Sequence, residues 1–179
     1  QLVTDAAPGL KPERVQAAEI GIESRLPSGT QISVAAFAQT LTDLIYRSRV
    51  SALLNQTTNA GEAQVNGIEA SVRQPIWGNR LAVFASATHL FRYDITSNAA
   101  IPASVGRVLA DVPQVIYSAG VEGERGPWSG SLVVRHVGHV YASSDDLNVN
   151  GAQGVFGSYD EYTVANAKLA YRLSPHVQL

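Results

Sequence analysis

The stretch that decides the fold is QVIYSAGVEGERGPW, residues 114–128. Apolar residues alternate with polar or small residues from Val115 to Glu122, and only Ile116 departs from this alternation. Because successive side chains of a β-strand point to opposite sides of the sheet, the pattern predicts a strand with one apolar and one polar face. Gly126-Pro127 then marks a tight turn into a second strand.

The same alternation recurs along the whole chain, whereas helical periodicity is weak. It is clearest in residues 18–23, 68–73 and 165–172. This pattern predicts an all-β protein, an antiparallel meander of seven strands with an eighth that begins near His176. The predicted strands cover residues 14–26, 30–46, 58–76, 80–95, 112–125, 128–143 and 159–173.

Short and long connections alternate between these strands. In an antiparallel meander, strict alternation places all tight turns at one end of the sheet and all long connections at the other. This layout is typical of outer-membrane β-barrels, and most of the strands exceed the roughly 9–11 residues of a tilted membrane strand. A soluble β-sandwich or lipocalin-like barrel is the alternative. The tight turns are Pro27-Ser28-Gly29, Trp77-Gly78-Asn79, Gly126-Pro127 and Ser174-Pro175, and the long connections lie near 47–57, 96–111 and 144–158.

Aromatic residues gather at both predicted ends of the strands. Trp77 and Trp128 lie at tight turns, as expected of a membrane barrel with an aromatic girdle at each interface. The polar face is either the outer surface of a soluble sandwich or the wet lumen of a barrel. Tyr46, Tyr93, Tyr141 and Tyr159 lie at the long connections, and the polar face carries Glu19, Glu23, Arg25, Glu69, Arg73, Glu122, Glu124, Lys168 and Arg172.

Composition excludes several classes of protein. The chain has 179 residues, of which 45% are hydrophobic and 16% charged, with no cysteine and a net charge of −2. The apolar share excludes a disordered chain, and the lack of cysteine excludes a disulfide scaffold and a cysteine-ligated zinc site. The charge argues against a nucleic-acid partner. No apolar run reaches the roughly 18 residues of a membrane-spanning helix.

The sequence contains no convincing catalytic motif, so we predict neither an enzyme nor a bound cofactor. His136 and His139 are three residues apart and would face opposite sides of a strand, so they could not share a metal ion without a bulge. Asp145-Asp146, near Asn148 and Asn150, reads as a solvated loop rather than a cation site.

Five short motifs, in this order, resemble TonB-dependent outer-membrane receptors. The stretch Leu10-Lys11-Pro12-Glu13, followed by Glu19-Ile20-Gly21, is similar to the L-K-P-E … E-x-G stretch in the C-terminal half of that family. Nearly the whole chain is covered. The other motifs are Phe37 through Asp43-Leu44-Ile45, Asn59-Ala60-Gly61-Glu62-Ala63 with Gly67-Ile68-Glu69-Ala70, Val112-Pro113, and Tyr171-Arg172-Leu173-Ser174-Pro175-His176-Val177.

The resemblance implies the architecture of a 22-stranded transmembrane β-barrel plugged by an N-terminal domain. Residues 1–179 would be one partial barrel of about seven strands, with no second domain and without the plug or the final strands. A partial sheet exposes unpaired edges and a large apolar face. We therefore expect that the segment alone does not fold stably in water.

The resemblance also implies a function, which is active transport across the bacterial outer membrane. The expected ligand is a ferric siderophore, the energy comes through TonB, and lipid and lipopolysaccharide surround the barrel. Cobalamin, haem or another metal chelate is the alternative ligand. A passive porin or adhesin barrel and a soluble β-rich binding module are alternatives of other classes. The candidate ligand contacts are Tyr46, Arg47, Arg49, Arg92, Tyr93, Arg107, Tyr141 and Tyr159, since Arg and Tyr suit anionic, catechol-bearing chelates.

Overall fold

A computed structural model describes residues 3–4, 9–49, 54–78, 80–142, 157–174 and 177–178. These residues form one nine-stranded sheet and a separate two-stranded ribbon. None of the helices among them is long and apolar enough to cross a membrane. The elements are β1 (Val3–Thr4), β2 (Arg14–Arg25), β3 (Gln31–Arg49), β4 (Leu54–Ile76), β5 (Leu81–Asn98), a 3₁₀ turn (Pro102–Ser104), β6 (Val115–Arg125), β7 (Trp128–Val137), β8 (Val140–Tyr141), β9 (Ser158–Tyr159), β10 (Tyr162–Ser174) and β11 (Val177–Gln178).

The large sheet is the antiparallel meander that the alternation predicts. Its order is β11-β10-β7-β6-β5-β4-β3-β2, so strands that follow one another along the chain lie side by side. The exceptions are the ribbon of β8 and β9, inserted between β7 and β10, and the short β1, which pairs in parallel with the start of β4.

Tight turns gather at one end of the sheet, which we call the lower end. Gly29 joins β2 to β3 with a φ of 82°, and Gly126 joins β6 to β7 with a φ of 60°. Glycine adopts these angles without steric cost, and a glycine in the first position suits a two-residue hairpin. The long connections after β5 and β7 lie at the opposite, upper end, which is where two of the three predicted long connections were expected.

Several predicted boundaries are wrong at the upper end. The predicted connection 47–57 is mostly paired, because β3 and β4 remain in register as far as Arg49 and Asn55. The predicted strand 128–143 breaks after Val137, where the Gly138 amide donates to the Val115 carbonyl. The strands predicted to start at 112 and 159 start at Val115 and Tyr162. His176, the predicted start of the eighth strand, lies outside the described residues.

Strand pairing places apolar and polar residues on opposite faces of the sheet. Residues that are paired across neighbouring strands lie on the same face of the sheet. A series of such pairs therefore forms a row that crosses all the strands on one face. One apolar-face row is Ile22, Val34, Ala70, Ala87, Tyr117 and His136; the next row, on the polar face, is Glu23, Ser33, Ser71, Ser86, Ser118 and Arg135.

Aromatic residues mark the lower and upper limits of the apolar face. At the lower end, the rings of Trp128 and Tyr171 meet edge to face with centroids 4.8 Å apart. At the upper end, Tyr117 stacks on His136 at 6.1 Å. Trp128 and His136 are eight positions apart in β7, which is about 27 Å along the strand and about 21 Å after a tilt of roughly 40°. This apolar band therefore has nearly the height of roughly 25 Å that membrane barrels present to lipid.

The polar face combines charged pairs with close aromatic packing. Arg73 and Glu122 form an ion pair of 2.7 Å between β4 and β6. Phe84 covers Gly120 of the neighbouring strand so closely that a Cβ on this glycine would lie 2.5 Å from the Phe84 ring. The aromatic ring thus fills the space that glycine leaves open on the wall.

Register shifts in the described sheet lie outside the apolar band. β3 is bulged between Leu41 and Leu44, and β4 and β5 shift between Asn66 and Gly67 and again between Glu62 and Ala63. A second shift between β3 and β4 follows at Leu44 and Ile45. These four irregularities lie above the row of Tyr117, and the one between β10 and β11 lies below the Trp128 row. Within the band, pairing is regular, and no residue changes face.

Candidate functional site

The upper end of β5 is paired with a connecting segment rather than with β6. Pairing of β5 with β6 stops at His89 and Val115, although β5 continues to Asn98. Residues 106–109 occupy this edge instead. The Ile95 amide donates to the Arg107 carbonyl, and the amides of Gly106 and Leu109 donate to the carbonyls of Ile95 and Tyr93, each at 2.8 Å.

This pairing continues into the next long connection. The Asp111 amide donates to the Tyr141 carbonyl at 2.8 Å, and β8 in turn pairs with β9. Backbone hydrogen bonds therefore run without interruption from β5 through residues 106–111 to β8 and β9. We call this assembly, comprising residues 93–98, 106–111, 140–142 and 157–159, the mouth sheet.

A buried asparagine stabilises the turn that connects β5 to residues 106–111 of the mouth sheet. Asn98 is only 4% exposed, and its Nδ2 donates to Ser104 Oγ at 2.9 Å. Its Oδ1 accepts from the amides of Ala100 and Ile101 at 3.1 and 2.9 Å. Ser104, which is fully buried, donates to the Ile101 carbonyl at 2.7 Å. These bonds satisfy the polar groups of the turn and fix where residues 106–111 begin.

Four of the predicted ligand contacts belong to the mouth sheet. Tyr93 lies on the polar face above the apolar band and is 8% exposed. Burial raises the pKa of its hydroxyl above the usual value, and the neighbouring Tyr141 adds to the rise. The half-buried Tyr141 meets the His139 ring edge-on at 4.9 Å. Arg107 is exposed on the central segment. A fourth predicted contact, Tyr159, is an exposed residue of β9.

Tyr46 lies apart from this group, on the upper part of β3. It is half-buried against Gly61, where its ring occupies the space that a Cβ would need. Burial raises the pKa of its hydroxyl, and the nearby carboxylate of Glu13 adds to the rise. Arg47 and Arg49 continue the same strand in pairing with β4, but their side chains lie outside the described residues.

Arg92 lies on the opposite face from Tyr93. The register shift at Asn66 brings Arg92 onto the face of the apolar band, just above its upper rim. There its guanidinium group donates two hydrogen bonds to the Asp94 carboxylate, at 2.6 and 3.2 Å. This bidentate pair occupies the guanidinium group. That Arg92 contacts ligand stays a prediction.

Three of the sequence motifs converge on one asparagine, a role that the sequence did not reveal. Asn59 Oδ1 accepts from the Lys11 amide at 2.7 Å. Its Nδ2 donates to the carbonyls of Lys11 and Asp43 at 2.8 and 2.6 Å. Beside it, the Ile45 amide donates to Glu13 Oε1 at 2.8 Å. We call this group the clasp; it ties the segment before β2 to the upper ends of β3 and β4.

Metal-binding groups are dispersed in the part of the chain that the structure describes. There, no three or more His, Cys, Asp or Glu side chains gather closely enough to hold a metal ion. His136 accepts or donates a bond of 3.0 Å with Thr163 on the apolar face, whereas His139 packs on Tyr141. The two histidines are thus in separate environments. Asp145, Asp146, Asn148 and Asn150 lie outside the described residues.

Comparisons with known proteins agree on one family. Residues 2–179 match the family model of the TonB dependent receptor-like β-barrel. A search of the curated proteins finds no match. Among solved structures, the copper transporter OprC superposes with a TM-score of 0.68 at 19% identity, covering 96% of this chain and 25% of that one.

Two further structures, both of proteins named for a ferric ligand, superpose with the same TM-score as each other. The ferric citrate transporter FecA in its unliganded form gives a TM-score of 0.73 at 16% identity, covering 92% of this chain and 24% of that chain. A mutant of the ferric enterobactin receptor PfeA from Pseudomonas aeruginosa also gives 0.73, at 20% identity, covering 98% and 26%. The chain therefore spans about a quarter of the length of the structures that it matches, and at these identities the likeness shows the fold alone.

These matches confirm the predicted family, the all-β meander of a barrel fragment, and the location in the outer membrane of Gram-negative bacteria. The family model extends over almost the entire chain, and the apolar band with its aromatic limits is the surface that such a location requires. The chain belongs to the TonB-dependent receptors, as a segment of their β-barrel.

Proposed function

We propose that this chain forms wall and mouth of an outer-membrane receptor that takes up a ferric siderophore, with energy supplied through TonB. The observation that carries the proposal is the position of Tyr46, Tyr93 and Tyr141. All three lie at the upper end, and Tyr46 and Tyr93 lie on the polar face of the wall. Phenol groups can stack on aromatic chelators and donate hydrogen bonds to their anionic oxygens.

The polar face supplies a hydrated route below these tyrosines. It carries the Arg73–Glu122 pair and a row of serines, in which Ser86 and Ser118 are hydrogen-bonded at 2.7 Å. In a closed barrel this face lines the lumen, and the apolar band meets lipid and lipopolysaccharide. The closed barrel of 22 strands, and the plug through which TonB would act, remain part of the proposal.

The names of the matched structures support a metal chelate as the class of ligand. They include a ferric citrate transporter, a ferric enterobactin receptor and a copper transporter. Two of these three concern ferric chelates, which favours iron over cobalamin or another metal chelate. These names describe those proteins, and for this chain the metal chelate is our proposal.

Uptake by the full-length receptor tests the proposal. The receptor is expressed in a host that lacks its own siderophore receptors, with and without functional TonB, and uptake of radioactive iron is measured as ferric citrate and as ferric enterobactin. We expect TonB-dependent uptake of at least one chelate. Tyr93→Phe and Tyr141→Phe should lower it severalfold, whereas Tyr117→Phe on the opposite face should leave it unchanged.

A passive porin is the competing function, and the same cells distinguish it. A porin would admit small solutes in the absence of TonB and would show ligand-independent conductance in planar bilayers. Uptake that does not depend on TonB, or that responds equally to Tyr93→Phe and Tyr117→Phe, would contradict the proposal.

A further inference from the structure

The mouth sheet joins two connections that are far apart in the sequence. One follows β5 and contains residues 106–111; the other follows β7 and is described at 138–142 and 157–161. Their junction is the bond from the Asp111 amide to the Tyr141 carbonyl. Because backbone hydrogen bonds in series transmit position directly, a displacement of one connection must either move the other or break this bond.

The junction uses a backbone conformation that few residues tolerate. Asp111 has a φ of 60°, which places it in the left-handed region. Aspartate and asparagine reach this region at small cost, whereas a β-branched residue there is a strong outlier. At the other end of the segment, the buried bonds of Asn98 to Ser104, Ala100 and Ile101 fix its starting point. The segment is thus fixed at both ends.

We propose that the described parts of the two connections, residues 106–111 and 140–142 with 157–159, act as one ligand-contacting body, in which Asn98 and Asp111 are positioning residues for Tyr93 and Tyr141. The segment 106–111 lies between these tyrosines and is bonded to the carbonyl of each through Leu109 and Asp111. The hydrogen bonds that join the two connections do not depend on which ligand the receptor takes up. Its effect on affinity rests on the proposed uptake function.

The expected consequence is a change in the population of the binding-competent arrangement. When the segment is released at either end, the two tyrosines occupy one mutual position for only part of the time. The apparent dissociation constant rises in inverse proportion to that fraction. If the competent fraction falls to about one tenth, affinity falls about tenfold.

Distance measurements between spin labels in the full-length receptor test the joining directly. The chain has no cysteine, so cysteines placed at the exposed Val105 and Asp160 provide the only labels in this region. We expect one narrow distance distribution, which Asn98→Ala and Asp111→Val broaden. Asp111→Asn, which suits the left-handed region, should keep it narrow. A second labelled pair at Val34 and Val134, both on the apolar face, should not respond to any of these substitutions.

Affinity for ferric citrate and ferric enterobactin is then measured for the same unlabelled variants. Broadening by Asn98→Ala and Asp111→Val, with about a tenfold loss of affinity and none for Asp111→Asn, supports the inference. Unchanged distance distributions overturn it, and so does broadening without any loss of affinity. If the distributions broaden but the parent receptor binds neither chelate, the joining is supported and the proposed function fails.

Discussion

Leu132 and Val133 are neighbours in β7 that should respond in opposite ways to the same charge. Leu132 lies on the apolar face, 46% exposed, and pairs with Val121 and Ala167. Val133 lies on the polar face, where it pairs with Gly120 and Asn166. We predict that Leu132→Arg strongly destabilises the full-length receptor in a membrane, whereas Val133→Arg is tolerated.

The magnitude follows from the position of Leu132 within the apolar band. It lies four positions from Trp128 and four from His136, the two aromatic limits in β7. At about 3.4 Å per residue and a tilt of roughly 40°, each limit is about 10 Å away along the barrel axis, so Leu132 lies near the bilayer midplane. An arginine at this depth on the lipid face costs about 2–4 kcal/mol, which is roughly a 30- to 700-fold change in the folding equilibrium.

The assay is guanidinium-driven unfolding of the full-length receptor from lipid vesicles, followed by tryptophan fluorescence. Val134→Arg, two positions nearer the upper limit in β7 and on the same face, provides a depth control. It should cost less than Leu132→Arg because the penalty falls towards the interface. The reasoning is refuted if Leu132→Arg and Val133→Arg shift the unfolding midpoint equally, or if Val133→Arg is the more damaging variant.

Three further predictions concern packing, the clasp and the segment itself. Gly120→Val should destabilise the receptor by about 2 kcal/mol in the same unfolding assay, because the new Cβ would meet the Phe84 ring; an unchanged midpoint would contradict this packing. Asn59→Ala removes three hydrogen bonds from a partly exposed site, so about 2 kcal/mol of local stability is lost and hydrogen exchange at residues 9–14 and 41–46 rises about thirtyfold. Asn166→Ala, at an exposed position of β10, should leave that exchange unchanged. In detergent micelles, the isolated segment should show the circular dichroism spectrum of β-structure and unfold cooperatively, whereas in water it should aggregate. A monomer that is soluble in water and unfolds cooperatively there would refute this expectation.

Strand existence and order were predictable because they follow from local alternation. The run from Val115 to Glu122 needed only its own pattern to be assigned as a strand. Its exception also has a reason, since Ile116 lies on the polar face at the upper end, paired with Val137, where that face becomes apolar. Tight turns were predictable because glycine and proline at these positions leave few backbone alternatives.

Features that depend on distant hydrogen bonds were not predictable in this way. A register shift brings Arg92 onto the face of the apolar band. The residues around it do not indicate this shift, because the extra residue of a β-bulge has no distinctive type in the sequence. Pairing of β3 with β4 continues to Arg49, where the sequence shows no alternation of apolar and polar residues that would distinguish a strand from a loop. The mouth sheet likewise depends on amides such as that of Asp111, which carry no sequence signal.

The regular register of the apolar band has a consequence for how such a wall can change during evolution. Inserting or deleting one residue between Leu81 and His89 would reverse the facing of every side chain beyond it, exchanging lipid-facing and polar residues in one step. Above the band, four register shifts already absorb extra residues without disturbing the rows below. In descendants of this chain, the segments above the band can therefore change in length as well as in sequence. The strands within the band can change only by substitution of residues.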